Sequence, residues 1–253
     1  MIELSDVSAG YGGIEKVHID RLVLCPHEIV SLIGNNGSGK STLLKTIDGQ
    51  LNYKGRLKAD GREVSGLRSK ERAKMISYLP QQVLPVDMSV VTLISHGRFP
   101  FGDFSHTLSP QDRAAVEQAI DIAGLDAFRQ KKVSDLSGGE RTLAYLAMVI
   151  AMNSTYMLLD EPLADIDIPH KTEICRILQE LKLGGTGILI ASHDIPLSFS
   201  LSDKICVLDH GKIIAFGTPE ELSRRKELMK TILGAYARPN EDRDALYRYS
   251  LYI

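Results

Sequence analysis

Gly34-Asn35-Asn36-Gly37-Ser38-Gly39-Lys40-Ser41 decides the fold. The octapeptide matches G-x-x-x-x-G-K-[ST], the phosphate-cradling P-loop pattern, at every fixed position. It follows the apolar run from Glu28 to Ile33 and precedes Thr42-Leu43-Leu44…Ile47, which has helical spacing. Strand, loop and helix therefore occur in the order the pattern requires. Glycines let the backbone wrap closely, so that successive N–H groups and the helix N-terminus face an anion. In that setting Lys40 is expected to reach the β- and γ-phosphates of a nucleotide and Ser41 to ligate Mg²⁺.

Working outward, residues 2–8 and 17–24 alternate apolar and polar side chains, as half-buried antiparallel strands do, with Gly10, Gly12 and Gly13 in the turn between them. Further strands are expected at 55–60, 75–79, 155–160, 187–192, 204–209 and 212–216. Together they fit a mainly parallel central sheet, in which the runs Tyr156–Leu159 and Gly187–Ala191 read as buried on both faces. From about 88 to 152 the pattern turns helical. Ser109-Pro110 supplies an N-cap and an N1 proline, Val116, Ala119, Ile120 and Ala123 follow at helical spacing, and Gly124 ends the run.

Two further stretches carry chemistry. Tyr156-Met157-Leu158-Leu159-Asp160-Glu161 is an apolar strand ending in two carboxylates, which need a partner such as a cation. Asp160 suits a Mg²⁺ shell. Glu161, one residue on and so pointing the other way, is placed to polarise a water for attack on a γ-phosphate. Leu136-Ser137-Gly138-Gly139-Glu140 contains an S-x-x-E capping box before a helix whose apolar face is Leu143, Leu146, Ala147 and Ile150. A cap does not need two consecutive glycines, whereas close approach of an anion to a helix N-terminus does suit them.

With this pentapeptide some twenty residues before the carboxylate pair, the sequence resembles the ATP-binding cassette (ABC) ATPases, whose signature is L-S-G-G-Q/E. The resemblance implies an α/β fold: a P-loop core with a mainly parallel sheet, an N-terminal antiparallel β-layer and an inserted helical subdomain. It also implies the division of one domain into a core (1–87 and 153–235), the helical subdomain (about 88–152) and a tail (236–253). Tyr11 stands where the family stacks an aromatic ring on adenine. Gln81 resembles the Q-loop glutamine, with Gln82 the alternative, Asp167 fits the D-loop aspartate, and His193 is similar to the switch histidine at the γ-phosphate. The implied nucleotide contacts are Tyr11, Gly34, Asn35, Asn36, Gly37, Ser38, Gly39, Lys40, Ser41 and Thr42, with Asp167 and a partner copy's equivalents of Ser137, Gly138 and Gly139. Mg²⁺ is implied at Ser41, Gln81 and Asp160, and catalysis of ATP hydrolysis at Glu161, His193 and Gln81.

Val90-Val91-Thr92-Leu93-Ile94-Ser95-His96-Gly97-Arg98-Phe99-Pro100 resembles a stretch of the ATPases serving iron-siderophore, haem and cobalamin uptake. Asp167-Ile168-Pro169-His170 echoes their L-D-I-x-H, and Lys131–Asp135 lacks the exporters' segment before the signature. Leu163 for Thr, an additional Asp165, and Thr142-Leu143 depart from the family pattern. The expected partners are a second copy of the chain, transmembrane permease subunits and, indirectly, an external substrate-binding protein. The alternatives in view are a soluble ABC ATPase working on nucleic acid or ribosomes, and a P-loop kinase, which the signature disfavours.

Composition agrees with this frame. The 253 residues carry 30 Lys plus Arg against 32 Asp plus Glu, so net charge gives no reason to expect nucleic acid. Met1–Asp6 offers neither a basic nor an apolar leader, and Leu143–Met152 is far short of the ~20 residues that span a bilayer. A cytoplasmic position on the inner face of the membrane is therefore expected. Cys25, Cys175 and Cys206 read as core packing in a reducing compartment. Ala245–Ile253, with three tyrosines, alternates like an edge strand.

Overall fold

The computed structural model describes residues 1–101, 108–233, 237–239 and 249–251. In chain order its strands are β1 (Ile2–Tyr11), β2 (Ile14–Leu24), β3 (Ile29–Ile33), β4 (Tyr53–Ala59), β5 (Arg62–Glu63), β6 (Ile76–Leu79), β7 (Tyr156–Asp160), β8 (Gly187–Ser192), β9 (Lys204–Asp209), β10 (Lys212–Gly217), β11 (Ala237–Pro239) and β12 (Tyr249–Leu251). The helices are α1 (Lys40–Ile47), α2 (Ser69–Met75), α3 (Val90–His96), α4 (Pro110–Ile122), α5 (Gly138–Ala151), α6 (Ile168–Leu183), α7 (Ile195–Leu201), α8 (Pro219–Ser223) and α9 (Lys226–Leu233).

The central sheet has the order β10-β9-β3-β8-β7-β6. Its strands run parallel except β10, which closes one edge as a hairpin with β9. Every residue of β3, β7 and β8 is buried, as expected of strands covered on both faces. The pleat sorts their side chains. Met157, Leu159, Ile188 and Ile190 enter a core shared with α3, α4 and α5, while Tyr156, Leu158, Leu189 and Ala191 enter one shared with α1 and the second sheet. Cys206 lies in that second core, where burial pushes its thiol up to about 12.

The second sheet, β2-β1-β4-β5, is antiparallel. Here the sequence reading needs one correction. The strand expected at 55–60 belongs to this layer rather than to the central sheet. Among its residues only Leu57 and Ala59 are buried, so β4 presents a single apolar face and suits a sheet wetted on the other side. Gly10 lies inside β1, and the turn falls at Gly12-Gly13. The described part of the tail pairs β12 with β11 antiparallel, as a two-stranded sheet of its own. The remainder of the expected strand over 245–253 lies outside the described residues.

The helices α4 to α8 begin at side-chain caps. Ser109 accepts from Asp112 N–H with Pro110 at the first helical position, and Ser137 accepts from Glu140 N–H while Glu140 accepts from Ser137 N–H. The helices α3, α4 and α5 pack on one another and are pinned by a buried ion pair. Arg98 Nε lies 2.8 Å from Asp112 Oδ1, its Nη1 donates to Ala151 O at 2.6 Å, and its guanidinium sits 3.7 Å over the Phe101 ring. One arginine thus ties the loop after α3 to the start of α4 and the end of α5. Among the described residues, no helix is long and apolar enough to cross a membrane.

Candidate nucleotide site

The parallel strands finish level with one another. Leu79 of β6 pairs with Leu159 of β7, Asp160 with Ala191 of β8, and Ser192 with Ile33 of β3. The residues that follow these four ends are Gln81, Glu161, His193 and the P-loop, which therefore emerge at one edge of the sheet, where open α/β sheets form their crevice. A cavity of about 600 Å³ lies there. It is lined by Tyr11, Lys16, Asn36, Gly37, Gly39, Lys40, Ser41, Thr42, Gln81, Glu161 and His193. Gly34, Asn35 and Ser38 form the back of the loop and do not line this cavity.

The loop geometry depends on glycine. Gly39, the residue before α1, has φ 108°, and a Cβ there would stand 2.5 Å from Val17 Cγ1. Lys40 is 6 % exposed; its ammonium donates to Gly34 O at 2.8 Å and lies 3.8 Å from Glu161 Oε1. Glu161 is the centre of convergence. Gln81 Nε2 donates to its Oε2 at 3.0 Å and His193 Nδ1 lies 3.3 Å from the same oxygen.

The aim of Glu161 does not come from the strand pleat, as the alternation argument supposed. The strand ends at Asp160, and Glu161 adopts φ 52°, its N–H donating to Ala191 O at 3.0 Å. A left-handed residue turns the chain out of the sheet and swings this carboxylate across the crevice. Asp165, in the turn that follows, is also left-handed at φ 54°. Aspartate tolerates that conformation better than most residues, which gives this carboxylate a local conformational role.

Asp160 is 2 % exposed and accepts from Ser41 Oγ at 3.0 Å and Tyr78 OH at 3.1 Å. Burial pushes its carboxyl above the usual carboxylate range, against the two hydroxyls that favour its charged form. The sequence reading did not single out Tyr78. It is a strand residue in an apolar run, and only its register beside Leu158 brings the hydroxyl to Asp160.

Ser137, Gly138, Gly139 and Asp167 stand apart from this cavity and belong to the start of α5 and the start of α6. Asp167 caps α6, and its Oδ1 meets His170 Nδ1. The two glycines at the start of α5 differ. Nothing lies within 4 Å of a Cβ built on Gly138, whereas a Cβ on Gly139 would be 2.6 Å from the His170 ring. The second glycine is therefore required within the chain itself, to seat His170, while the first leaves the helix start open.

A parallel α/β sheet with a P-loop, an antiparallel layer and a helical insertion defines a nucleotide-hydrolysing cassette. The chain belongs to the ABC transporter family, whose model matches residues 18–164. It is 37% identical over 226 residues to the petrobactin import ATP-binding protein YclP of Bacillus subtilis (strain 168), covering 88% of each chain. It is 32% identical to the ferric enterobactin transport ATP-binding protein FepC of Escherichia coli (strain K12), over 90% of this chain and 85% of that one. Among solved structures it resembles a Clostridium perfringens protein described as part of the ABC transporter complex cbiONQ. That match has a TM-score of 0.78 and 26% identity, over 91% of this chain and 93% of the other.

Proposed function

We propose that this chain is the ATP-hydrolysing subunit of an importer for a metal chelate, working as a homodimer on the cytoplasmic face of transmembrane permease subunits. The observation that carries the enzymatic part is the meeting of Lys40, Gln81 and His193 on Glu161 beside the P-loop. Tyr11, 45 % exposed at the cavity's outer wall, is available to stack on the base. Asn36, Gly37 and Gly39 through Thr42 supply the anion cradle, with Gly34, Asn35 and Ser38 completing the loop behind them, and Lys40 shifts from Gly34 O to the phosphates. In hydrolysis Glu161 takes the proton of the attacking water, the water oxygen bonds to the γ-phosphorus, and the bond to the β-phosphate oxygen breaks, releasing ADP. His193 and Gln81 hold Glu161 and the γ-phosphate region in line.

The donor set also suits Mg²⁺. Ser41, Asp160 and Gln81 offer hard oxygen ligands, and a cation would hold the buried Asp160 in its charged form. Among the described residues no group of three or more His, Cys, Asp or Glu could hold a metal ion, consistent with a site completed by phosphate oxygens and water. When bound, the ion supplies neutralisation of the phosphate charge.

The open face over Gly138 supports a shared site, in which Ser137, Gly138 and Gly139 of one copy cap the nucleotide held by the other, with Asp167 at the seam. The domain division is likewise proposed as core 1–87 and 153–235, helical subdomain about 88–152 and tail 236–253, supported by the packing of α3, α4 and α5 on one another. Exposed Leu84 and Phe99 beside α3 and α5 offer apolar contacts for a permease. The cargo class is supported by the names of the relatives, which include petrobactin, ferric enterobactin and, at 31% identity in Chelativorans, hemin import proteins. An external binding protein would then deliver the cargo.

The test is Glu161→Gln with ATP and Mg²⁺. We expect ATP-dependent dimerisation with hydrolysis reduced about 10²–10⁴-fold. A monomer that phosphorylates a small molecule overturns the reading. Co-purification of the membrane partner followed by uptake assays with iron-siderophore, haem and cobalamin tests the cargo.

A further inference from the structure

We propose that Lys16 is a phosphate-binding residue of the nucleotide site, contacting the end of the phosphate chain nearest the nucleoside. This rests on the reading of the cavity as the ATP site and adds a cation that the motifs do not contain.

Three observations point to it. The first is the backbone. Across the β1–β2 ladder Ala9 pairs with Val17 and Gly10 with Glu15, so Lys16 is the additional residue of a β-bulge. A bulge breaks the alternation of a strand and re-aims one side chain, commonly at a binding site. The second is position. Lys16 lines the cavity together with Tyr11 and with Gly39 to Thr42, between the wall suited to a base and the start of α1. Its carbonyl oxygen lies 3.3 Å from where a Cβ of Gly39 would stand and 2.2 Å from that of Gly211. Gly211 in turn donates to Ser38 O and accepts from His18 N–H, each at 2.8 Å. Gly211 thus bridges β2 beside Lys16 to the P-loop and packs against the Lys16 carbonyl, while the Lys16 side chain is exposed.

The third observation is charge. Lys40 is occupied by Gly34 O and the neighbouring Glu161, but the Lys16 ammonium has no ion pair or hydrogen bond among the described residues. A flexible lysine stem carrying a compact point charge suits a phosphate oxygen better than a base edge. The ligand class it selects is a nucleoside di- or triphosphate over an uncharged nucleoside.

The experiment is equilibrium titration of the full chain with ADP, with ATP in the absence of Mg²⁺, and with adenosine, at low and high salt. Lys16→Met is expected to raise Kd for both ADP and ATP about five- to tenfold at low salt. The loss should shrink as salt screens the contact, adenosine binding should not change, and Lys16→Arg should recover most of the affinity. ADP binding equal to wild type in K16M, or an equal loss for adenosine, overturns the proposal. Lys40→Ala separates the two levels of inference. If K40A binds ATP like wild type, the site reading itself fails and this proposal with it; if K40A loses ATP while K16M does not, only the role of Lys16 fails.

Discussion

Arg98→Met should cost this protein more stability than any exposed ion pair. Arg98 and Asp112 have side chains 8% and 9% exposed, and the arginine satisfies both the Asp112 carboxylate and the carbonyl of Ala151. Removing it leaves a buried charge and a buried acceptor, a loss of about 3–5 kcal/mol. For a chain of this size that corresponds to a fall in Tm of about 6–20 °C, measurable by calorimetry or by urea unfolding followed in the far ultraviolet. Asp112→Asn in the same background keeps an acceptor for Ser109 and removes the unpaired charge, so the double variant should recover about half of the loss.

The pH dependence has a definite sign. Hydrogen bonds from Ser109, followed by Arg98, hold the Asp112 carboxyl below its ordinary value of 3.8. A depressed carboxyl contributes stability above its unfolded value and loses it as pH falls through its folded value. In R98M the carboxyl is left with Ser109 alone and protonates sooner, so the gap to wild type should narrow below about pH 4. R98M within about 1 kcal/mol of wild type at neutral pH, or a double variant less stable than R98M, refutes the reasoning.

Gly39→Ala forces a Cβ to 2.5 Å from Val17 Cγ1 at φ 108°, and should abolish ATP binding in an equilibrium titration even where the protein still folds. Tyr78→Phe removes one of the two hydroxyls on Asp160, and should raise the Mg²⁺ concentration for half-maximal ATPase activity about three- to tenfold with the fold intact by circular dichroism. Ser137→Ala removes the acceptor of the α5 capping box and should cost about 1 kcal/mol in urea unfolding, alongside a loss of ATP-driven dimerisation.

The parts legible in the sequence are those in which neighbours along the chain do the work. The P-loop is such a case, because its strand, glycines and helix start lie within a few residues and leave one reading. The apolar runs of β7 and β8 are another, since burial on both faces removes polar alternation. The assignment of β4 failed for a related reason. A short strand carries no mark of which sheet it joins, and only its one-sided burial, with Leu57 and Ala59 inward, reveals the antiparallel layer. Tyr78 and the Arg98–Asp112 pair were not legible, because register and helix packing bring these partners together, and neither leaves a spacing signal. The bulge at Lys16 was hidden likewise, since it exists only relative to β1.

Glu161 shows how local and distant causes combine in this site. Its position after an apolar strand can be read from residues 156–161, but its direction depends on a left-handed backbone and its surroundings on two other strands. The level endings of β6, β7 and β8 deliver Gln81, Glu161 and His193 together, so a one-residue slip of any of these strands would displace a member of the set. The same carboxylate neighbours Lys40, which on the proposed reading engages phosphate. On that reading, nucleotide entry redistributes the partners of Glu161, drawing Lys40 away and leaving Gln81 and His193 beside the carboxylate. If the proposed roles hold, binding and catalysis are coupled through one side chain, and a substitution at any of its three partners should alter both ATP affinity and turnover.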